Sequence, residues 1–278
     1  MNKNYISLMQ TLSREFIKQI HCSPVKNPKE QSNILEQCML TSKTMAHRGL
    51  SSLAPENSLS ALRLAAEQGC QWVEIDAVAC GDGTIVMWHD NSVDRCSDGT
   101  GLLSEHNAIS ITKLDCGAWF SDLFQGEKMA TIEEAIILIQ SLDLGLNLEL
   151  KLYENSPEKV VAPVLALLQK HWKDFDKLII SSFDQAALEY CHTHQPQLQL
   201  GKLYDEIPEN WLAQMRHINA VSCHCNYKKL KETQVVAIKA AGYEVYCYTP
   251  NDPELVKAYW GWGVDAIITD YPQRYNHD

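Results

Sequence analysis

Residues 72–90 read WVEIDAVACGDGTIVMWHD, and the fold turns on how this stretch is divided. A first apolar run, Trp72 to Val78, is interrupted only by Glu74 and Asp76 and has the length of a strand. A second, Thr84 to His89, follows after a short turn that holds Asp82-Gly83. A parallel crossover needs about a dozen residues or more, whereas Asp-Gly between apolar runs is a strong hairpin signal. The second run is therefore expected to return antiparallel to the upper part of 72–80, as a flap and not as a strand of a parallel series. Its end would bring His89 back over the site that the first run helps to build. Glu74 and Asp76 stand two apart on that first run, so both carboxylates point into one space.

Outward from this hairpin, short apolar runs alternate with helical patterns. The expected strands are 44–48, 72–78, 146–151, 177–183, 198–204, 219–224, 244–249 and 265–269. Thr131-x-x-Glu134 is a capping-box pattern before Ala135-Ile136-Ile137. Ser156-Pro157 and Asp252-Pro253 each place a cap residue before a proline at the first helical position. Gly69 and Gly242 fall where helices should stop. Eight strand-then-helix units predict an α/β fold, a TIM (β/α)8 barrel with its active site at the C-terminal strand ends. Residues 91–130 are too many for a plain connection and are rich in Gly, Asp and Ser, with Trp119 and Phe120 among them. They are expected to form a small inserted subdomain after strand 2, covering the active-site face.

The barrel domain is assigned to residues 44–278 and an N-terminal extension to 1–43. Within the extension Leu8, Leu12, Phe16 and Ile20 recur every fourth residue, which predicts an amphipathic helix, and the polar, Pro-containing stretch 23–33 resembles a linker.

The composition excludes several classes. The net charge is −11 and no Lys/Arg cluster stands out, so no nucleic-acid footprint is expected. An anionic substrate would need local cations. No stretch approaches the roughly 18 apolar residues of a membrane span. Ser7, Gln10, Thr11, Ser13, Arg14 and Glu15 break any apolar run near the N-terminus, so no secretory signal is expected either. The ten cysteines, at 22, 38, 70, 80, 96, 116, 191, 223, 225 and 247, mostly fall inside expected strands and helices and read as reduced thiols of a cytoplasmic protein. Cys223-His224-Cys225 reads as a strand end, because zinc ligand pairs usually have two to four residues between them and here there is one. The sequence carries no signal for an oligomeric state.

Chemistry gathers at the expected C-terminal strand ends. His47-Arg48-Gly49 ends the first strand, Glu74-x-Asp76 lies on the second, His89-Asp90 ends the flap, Glu149-x-Lys151 ends the third and Ser182-Phe183 the fourth. Each motif alone is ordinary: a hydrogen-bonding histidine, a solvated acidic pair, a cross-barrel ion pair. Their joint placement on consecutive units makes a site. Two unit charges about 4 Å apart repel by roughly 4 kcal/mol at an effective dielectric of 20, so three converging carboxylates hold either a proton or a cation. Hard oxygen ligands suit Mg2+ or Ca2+. Arg48 and Lys151 supply positive charge for phosphate oxygens, and two flanking histidines can serve as general acid and base. Together they describe phosphoryl transfer.

The run His47-Arg48-Gly49, Pro55-Glu56-Asn57-Ser58, Val73-Glu74-Ile75-Asp76, His89-Asp90, Arg95, Leu114-Asp115-Cys116-Gly117-Ala118-Trp119, Asn147-Leu148-Glu149-Leu150-Lys151, Ser182-Phe183 and Ile268-Thr269-Asp270-Tyr271-Pro272 resembles the glycerophosphodiester phosphodiesterase family. The resemblance implies a TIM barrel with an insertion after the second strand, and hydrolysis of a small-molecule glycerophosphodiester to sn-glycerol 3-phosphate and an alcohol. It implies His47 and His89 as the acid/base pair, and Glu74, Asp76 and Glu149 as ligands of one divalent cation, Ca2+ or Mg2+. Arg48 and Lys151 would bind phosphate, and Phe183 would line the alcohol side of the pocket. There are departures: Ser58 replaces a Thr, Ala130 a Pro, and Tyr248-Thr249-Pro250-Asn251 stands where the family has Trp-Thr-Val-Asn. Tyr248 keeps an aromatic ring at the substrate rim. Two other readings share these residues: a phospholipase D-like hydrolase of lysophospholipids or sphingolipids, and a catalytically silent phosphodiester-binding barrel.

Overall fold

The computed structural model describes residues 42–275. The helix expected within the extension lies outside them. The chain runs β1 (Thr44–His47), α1 (Leu59–Glu67), β2 (Trp72–Ala79), β3 (Ile85–Met87), α2 (Ala108–Ile111), α3 (Ile132–Ser141), β4 (Gly145–Leu150) and α4 (Pro157–His171). It continues β5 (Leu178–Ser182), α5 (Gln185–His194), β6 (Gln199–Tyr204), α6 (Trp211–His217), β7 (Ser222–Asn226), α7 (Glu232–Ala240), β8 (Glu244–Tyr248), α8 (Pro253–Trp262) and β9 (Ala266–Thr269).

Every strand pairing is parallel except β2 with β3. Because β1 pairs with both β9 and β2, the eight parallel strands close into a TIM barrel. The flap is β3, registered on the upper half of β2 through Ala77 opposite Met87 and Ala79 opposite Ile85.

Strand periodicity divides the side chains between two spaces. On β2, Val73, Ile75 and Ala77 face outward into the main core, where they meet Leu62, Ala65 and the buried faces of α3 and α4. Trp72 faces inward with Met45, Ile179, Tyr246 and Ile268 and fills the barrel floor. Burying a large apolar side chain is worth about 1.5–3 kcal/mol, so this alternation fixes the register of every strand. Above the floor the inward positions turn polar: Glu74, Asp76, Asn147, Glu149, Ser181, Ser222 and His224 are all buried. Gly201 gives the His224 ring its space, since a Cβ there would come within 2.5 Å of Nε2.

The helix signals held unevenly. Thr131 and Glu134 form the capping box, with Glu134 N–H donating to Thr131 Oγ1 at 3.2 Å and Thr131 N–H to Glu134 Oε2 at 2.8 Å. Asp252 caps α8 by accepting from Glu254 N–H at 3.0 Å. Ser156 precedes Pro157 at the start of α4 but makes no side-chain cap. Strand β7 starts at Ser222, three positions later than the apolar run suggested. The reason is local: Asn219 takes φ 50° and Ala220 N–H donates to Met215 O at 2.9 Å, so these residues finish α6.

Between β3 and α3 the chain carries only short helical turns, and it builds a separate small core. Val93, Cys96, Leu103, Ile111 and Leu114 pack there on Val78, Val86 and Trp88, the hairpin positions that do not face the main core. Two contacts draw the ends of this insert together: Met87 N–H donates to Ala130 O at 2.8 Å, and Val86 bridges Thr131.

Candidate active site

The loop after β1 is bent by consecutive left-handed residues, Arg48 at φ 56° and Gly49 at φ 74°. Such a conformation is uncommon outside glycine and clusters at functional sites. It aims the Arg48 N–H at Glu74 Oε2, 3.0 Å away, and the Gly49 N–H at Glu74 O, 3.2 Å away. A side chain at residue 49 would strike Ala61 of α1, Cβ to Cβ, at 2.8 Å. The sharp turn thus seats the end of β1 against both β2 and α1.

Glu74, Asp76 and Glu149 each offer a carboxylate oxygen, and the three lie within 4.8 Å of one another. Asp76 is the most enclosed. Its Oδ2 accepts from Asn57 Nδ2 at 2.8 Å and lies 3.6 Å from Arg48 Nε, while Oδ1 is 3.1 Å from Lys151 Nζ. Lys151 also grips Glu149. Burial raises the Asp76 pKa, but Lys151 and then Arg48 outweigh it and hold the carboxyl below its ordinary range. Glu74 has no lysine or arginine side chain in ion-pair contact among the described residues. Burial, then Asp76 and Glu149, push it well above the ordinary value. Burial and Asp76 raise Glu149 to about 7 against the pull of Lys151. An acidic trio with two members pushed up is short of positive charge, and its all-oxygen donor set fits a hard divalent cation.

Both histidines are held by carboxylates. Nδ1 of His47 lies 2.7 Å from Asp270 Oδ1, and Nδ1 of His89 lies 2.6 Å from Asp90 Oδ1. Asp270 is itself fixed by Ser51 Oγ at 3.0 Å and Asn251 Nδ2 at 2.7 Å. Burial opposes ionisation of Asp270, but His47, Asn251 and Ser51 together hold its pKa at about 2. Burial lowers the pKa of His89, with Asp76 pulling the other way. Tyr153 donates its hydroxyl proton to the His89 carbonyl. With Nδ1–H donated to a carboxylate, each ring keeps Nε2 for chemistry.

A cavity of about 190 Å3 opens at this end of the barrel. His47, Arg48, Glu74, His89, Glu149, Lys151, Phe183 and Tyr248 all line it, whereas Asp76 lies behind them. Phe183 and Tyr248 meet edge to face, ring centres 5.9 Å apart, and with Leu203 and Ile268 they supply the apolar part of the cavity lining. The Tyr248 hydroxyl is turned away to Tyr204 O at 2.9 Å. All nine residues singled out in the sequence therefore converge on one locality.

Sequence reasoning assigned no role to Asp270, Asp90, Glu56, Asn57 or Arg95. A signal existed for Asp270, which directly follows an expected strand at the same barrel end as His47. Cys223 and Cys225, by contrast, are buried thiols on the outer face of β7 and lie away from the site.

This is the architecture of a TIM-barrel phosphodiesterase, with its polar groups at the C-terminal ends of the strands. The chain belongs to the glycerophosphoryl diester phosphodiesterase family, which it matches over residues 47–274. It is similar to the glycerophosphodiester phosphodiesterase of Caldanaerobacter subterraneus subsp. tengcongensis, 33% identical over 234 residues that span 82% of this chain and 94% of that one. Among solved structures it resembles an Oleispira antarctica phosphodiesterase in complex with the product sn-glycerol-3-phosphate, with TM-score 0.82 and 37% identity over 84% of this chain and 95% of that one. A glycerophosphodiester phosphodiesterase from Agrobacterium tumefaciens shares the fold at TM-score 0.68 and 24% identity, over 84% of this chain and 98% of that one.

Proposed function

We propose that the protein hydrolyses glycerophosphodiesters to sn-glycerol 3-phosphate and an alcohol by two-histidine acid/base catalysis. The observation that carries this reading is the meeting of three carboxylates within 4.8 Å beside two carboxylate-held histidines in one cavity. The family and the product held by the Oleispira antarctica relative support it.

In this reading Arg48 and Lys151 attract the phosphodiester. Both side chains line the cavity and bring positive charge to it. Glu74, Asp76 and Glu149 would hold one divalent cation, Ca2+ or Mg2+, which when bound supplies neutralisation of phosphate charge. One histidine Nε2 takes a proton from the nucleophile, either water or the neighbouring glycerol hydroxyl. The other delivers a proton to the departing alcohol. Each transfer is typically worth about 10²–10⁴ in rate. Asp270 and Asp90 hold the two rings in the tautomer this requires. Phe183 and Tyr248 wall the side on which the alcohol leaves and exclude water there. Cytoplasmic residence belongs to the same proposal: the eight described cysteines are free thiols, and no helix among the described residues is long and apolar enough to cross a membrane.

The test is release of sn-glycerol 3-phosphate from glycerophosphocholine, with EDTA and then with added Ca2+ or Mg2+. Metal-restored release is the expected result. No release with any divalent cation, together with activity on lysophospholipids, would overturn the substrate assignment.

A further inference from the structure

One charged side chain outside the proposed machinery touches both halves of it. Arg95 lies in the insert, 46% exposed, and its guanidinium makes three short hydrogen bonds. Nε donates to Asp90 Oδ2 at 2.6 Å, while Nη1 and Nη2 donate to Glu56 Oε2 and Oε1, both at 2.8 Å. Each carboxylate also engages a residue of the cavity. Asp90 Oδ1 holds His89 Nδ1 at 2.6 Å, and Glu56 Oε1 accepts from Arg48 Nη1 at 2.6 Å. A single chain of hydrogen bonds therefore runs His89–Asp90–Arg95–Glu56–Arg48.

The two ends of this chain come from separate parts of the fold. His89 follows the flap, and Arg48 sits on the strained turn after β1. No strand pairing joins these two loops. Arg95 does, and its own backbone is anchored, since Val93 and Cys96 on either side are buried in the small core of the insert. A planar fork with five donors can grip one carboxylate with two nitrogens and a second carboxylate with a third. A lysine, a point charge with a flexible stem, cannot hold both in fixed geometry.

The bidentate grip on Glu56 belongs to a charge network and contributes to stability as well. What Arg95 fixes is position: the orientation of the His89 ring through Asp90, and of the Arg48 guanidinium through Glu56. We propose that Arg95 is a positioning residue that locks the acid/base group and the anion-binding group into register with each other. The proposal rests on the hydrolase reading above. It predicts a division of labour, in which the Asp90 arm governs kcat and the Glu56 arm governs KM.

The experiment compares Arg95→Ala, Arg95→Lys, Asp90→Asn and the double variant Asp90→Asn/Arg95→Ala, on glycerophosphocholine with saturating divalent cation. Arg95→Ala is expected to lower kcat by roughly 10²-fold and to raise KM several-fold, in a variant that still unfolds cooperatively. Arg95→Lys restores part of one parameter and not both. The double variant should show the kcat of Asp90→Asn alone while keeping the raised KM. Losses in kcat that simply multiply, or wild-type kcat and KM in Arg95→Ala, would overturn the proposal. A second readout does not depend on turnover. The hydrogen-bonded Nδ1 proton of His89 should give a downfield NMR signal in the wild type and should broaden or vanish in Arg95→Ala. If the wild type releases no sn-glycerol 3-phosphate under any metal, the hydrolase reading falls and the NMR arm still decides the positioning claim, an unchanged His89 signal sinking it.

Discussion

His47 and Asp270 are 223 positions apart in the chain and meet at 2.7 Å across the seam of the barrel. β1 pairs with β9, so barrel closure itself sets one histidine against the carboxylate that orients it. A histidine whose tautomer is fixed in this way loses its alignment when the carboxylate becomes an amide.

Asp270→Asn keeps the volume and the hydrogen bond to Ser51 but no longer favours one ring tautomer. Its kcat is expected to fall by roughly 10–100-fold, part of the range ascribed to a single acid/base group. KM should stay within about threefold. Steady-state kinetics on glycerophosphocholine decide, and an unchanged kcat would mean that His47 is not a proton-transfer group.

Adding divalent cation should stabilise the fold as well as switch on activity. Glu74 and Glu149 are both pushed above the ordinary carboxylate range by burial and then by Asp76, and a cation relieves that repulsion. Linkage at a hundredfold excess over Kd amounts to about 2.7 kcal/mol, a rise of roughly 5–10 °C in thermal midpoint for a domain of this size. Differential scanning calorimetry with EDTA against Ca2+ or Mg2+ measures it. Asp76→Asn should shrink the rise sharply, and an equal rise in that variant would remove Asp76 from the ligand set.

Phe183→Ala removes one half of the edge-to-face pair with Tyr248. An aromatic face is worth about 0.5–1 kcal/mol to a cationic head group at an exposed site, so KM for glycerophosphocholine should rise by roughly 2–5-fold with kcat little changed. The effect should shrink for glycerophosphoglycerol, whose leaving alcohol is small and polar. A uniform loss on both substrates would place Phe183 outside the alcohol side of the pocket.

His224 supplies a pH dependence of stability. It is fully buried inside the barrel with Nε2 2.9 Å from Ser222 Oγ, and burial lowers its pKa from 6.5 to about 3. The unfolded chain takes up the proton near pH 6.5 and the folded chain refuses it until about 3, so stability declines as pH falls through that window. The slope from this one group approaches ~1.4 kcal/mol per pH unit. Urea denaturation at pH 7.5, 6.5 and 5.5 should show a shallower decline in His224→Leu than in the wild type. Parallel curves for the two proteins would remove His224 as a source of acid lability.

The residues legible in the sequence were those whose chemistry is local. Glu74 and Asp76, or Glu149 and Lys151, share a face because strand periodicity is two, and the Asp-Gly turn gave away the hairpin that returns His89. Strand ends were less sharp, as the Asn219 turn shows, because an apolar run does not say where a helix finishes. The partners of the histidines escaped for a different reason. Asp270 reaches His47 only through closure of the sheet, and Arg95 reaches Glu56 only because the insert folds back over the loop after β1. Such contacts depend on three-dimensional placement, which spacing along the chain does not encode.

The insert between β3 and α3 is cinched at its neck, where Met87 bonds Ala130 and Val86 bridges Thr131, and it owns a core separate from the main one. Mechanically it is a closed lobe hung on a fixed hinge pin. Leu103, Ile111 and Leu114 beyond Arg95 pack on Val86 and Trp88, so this lobe backs the flap that carries His89. The ring that moves the proton is thus steadied from a second hydrophobic core, and a cavity opened in that core would be felt at the barrel mouth.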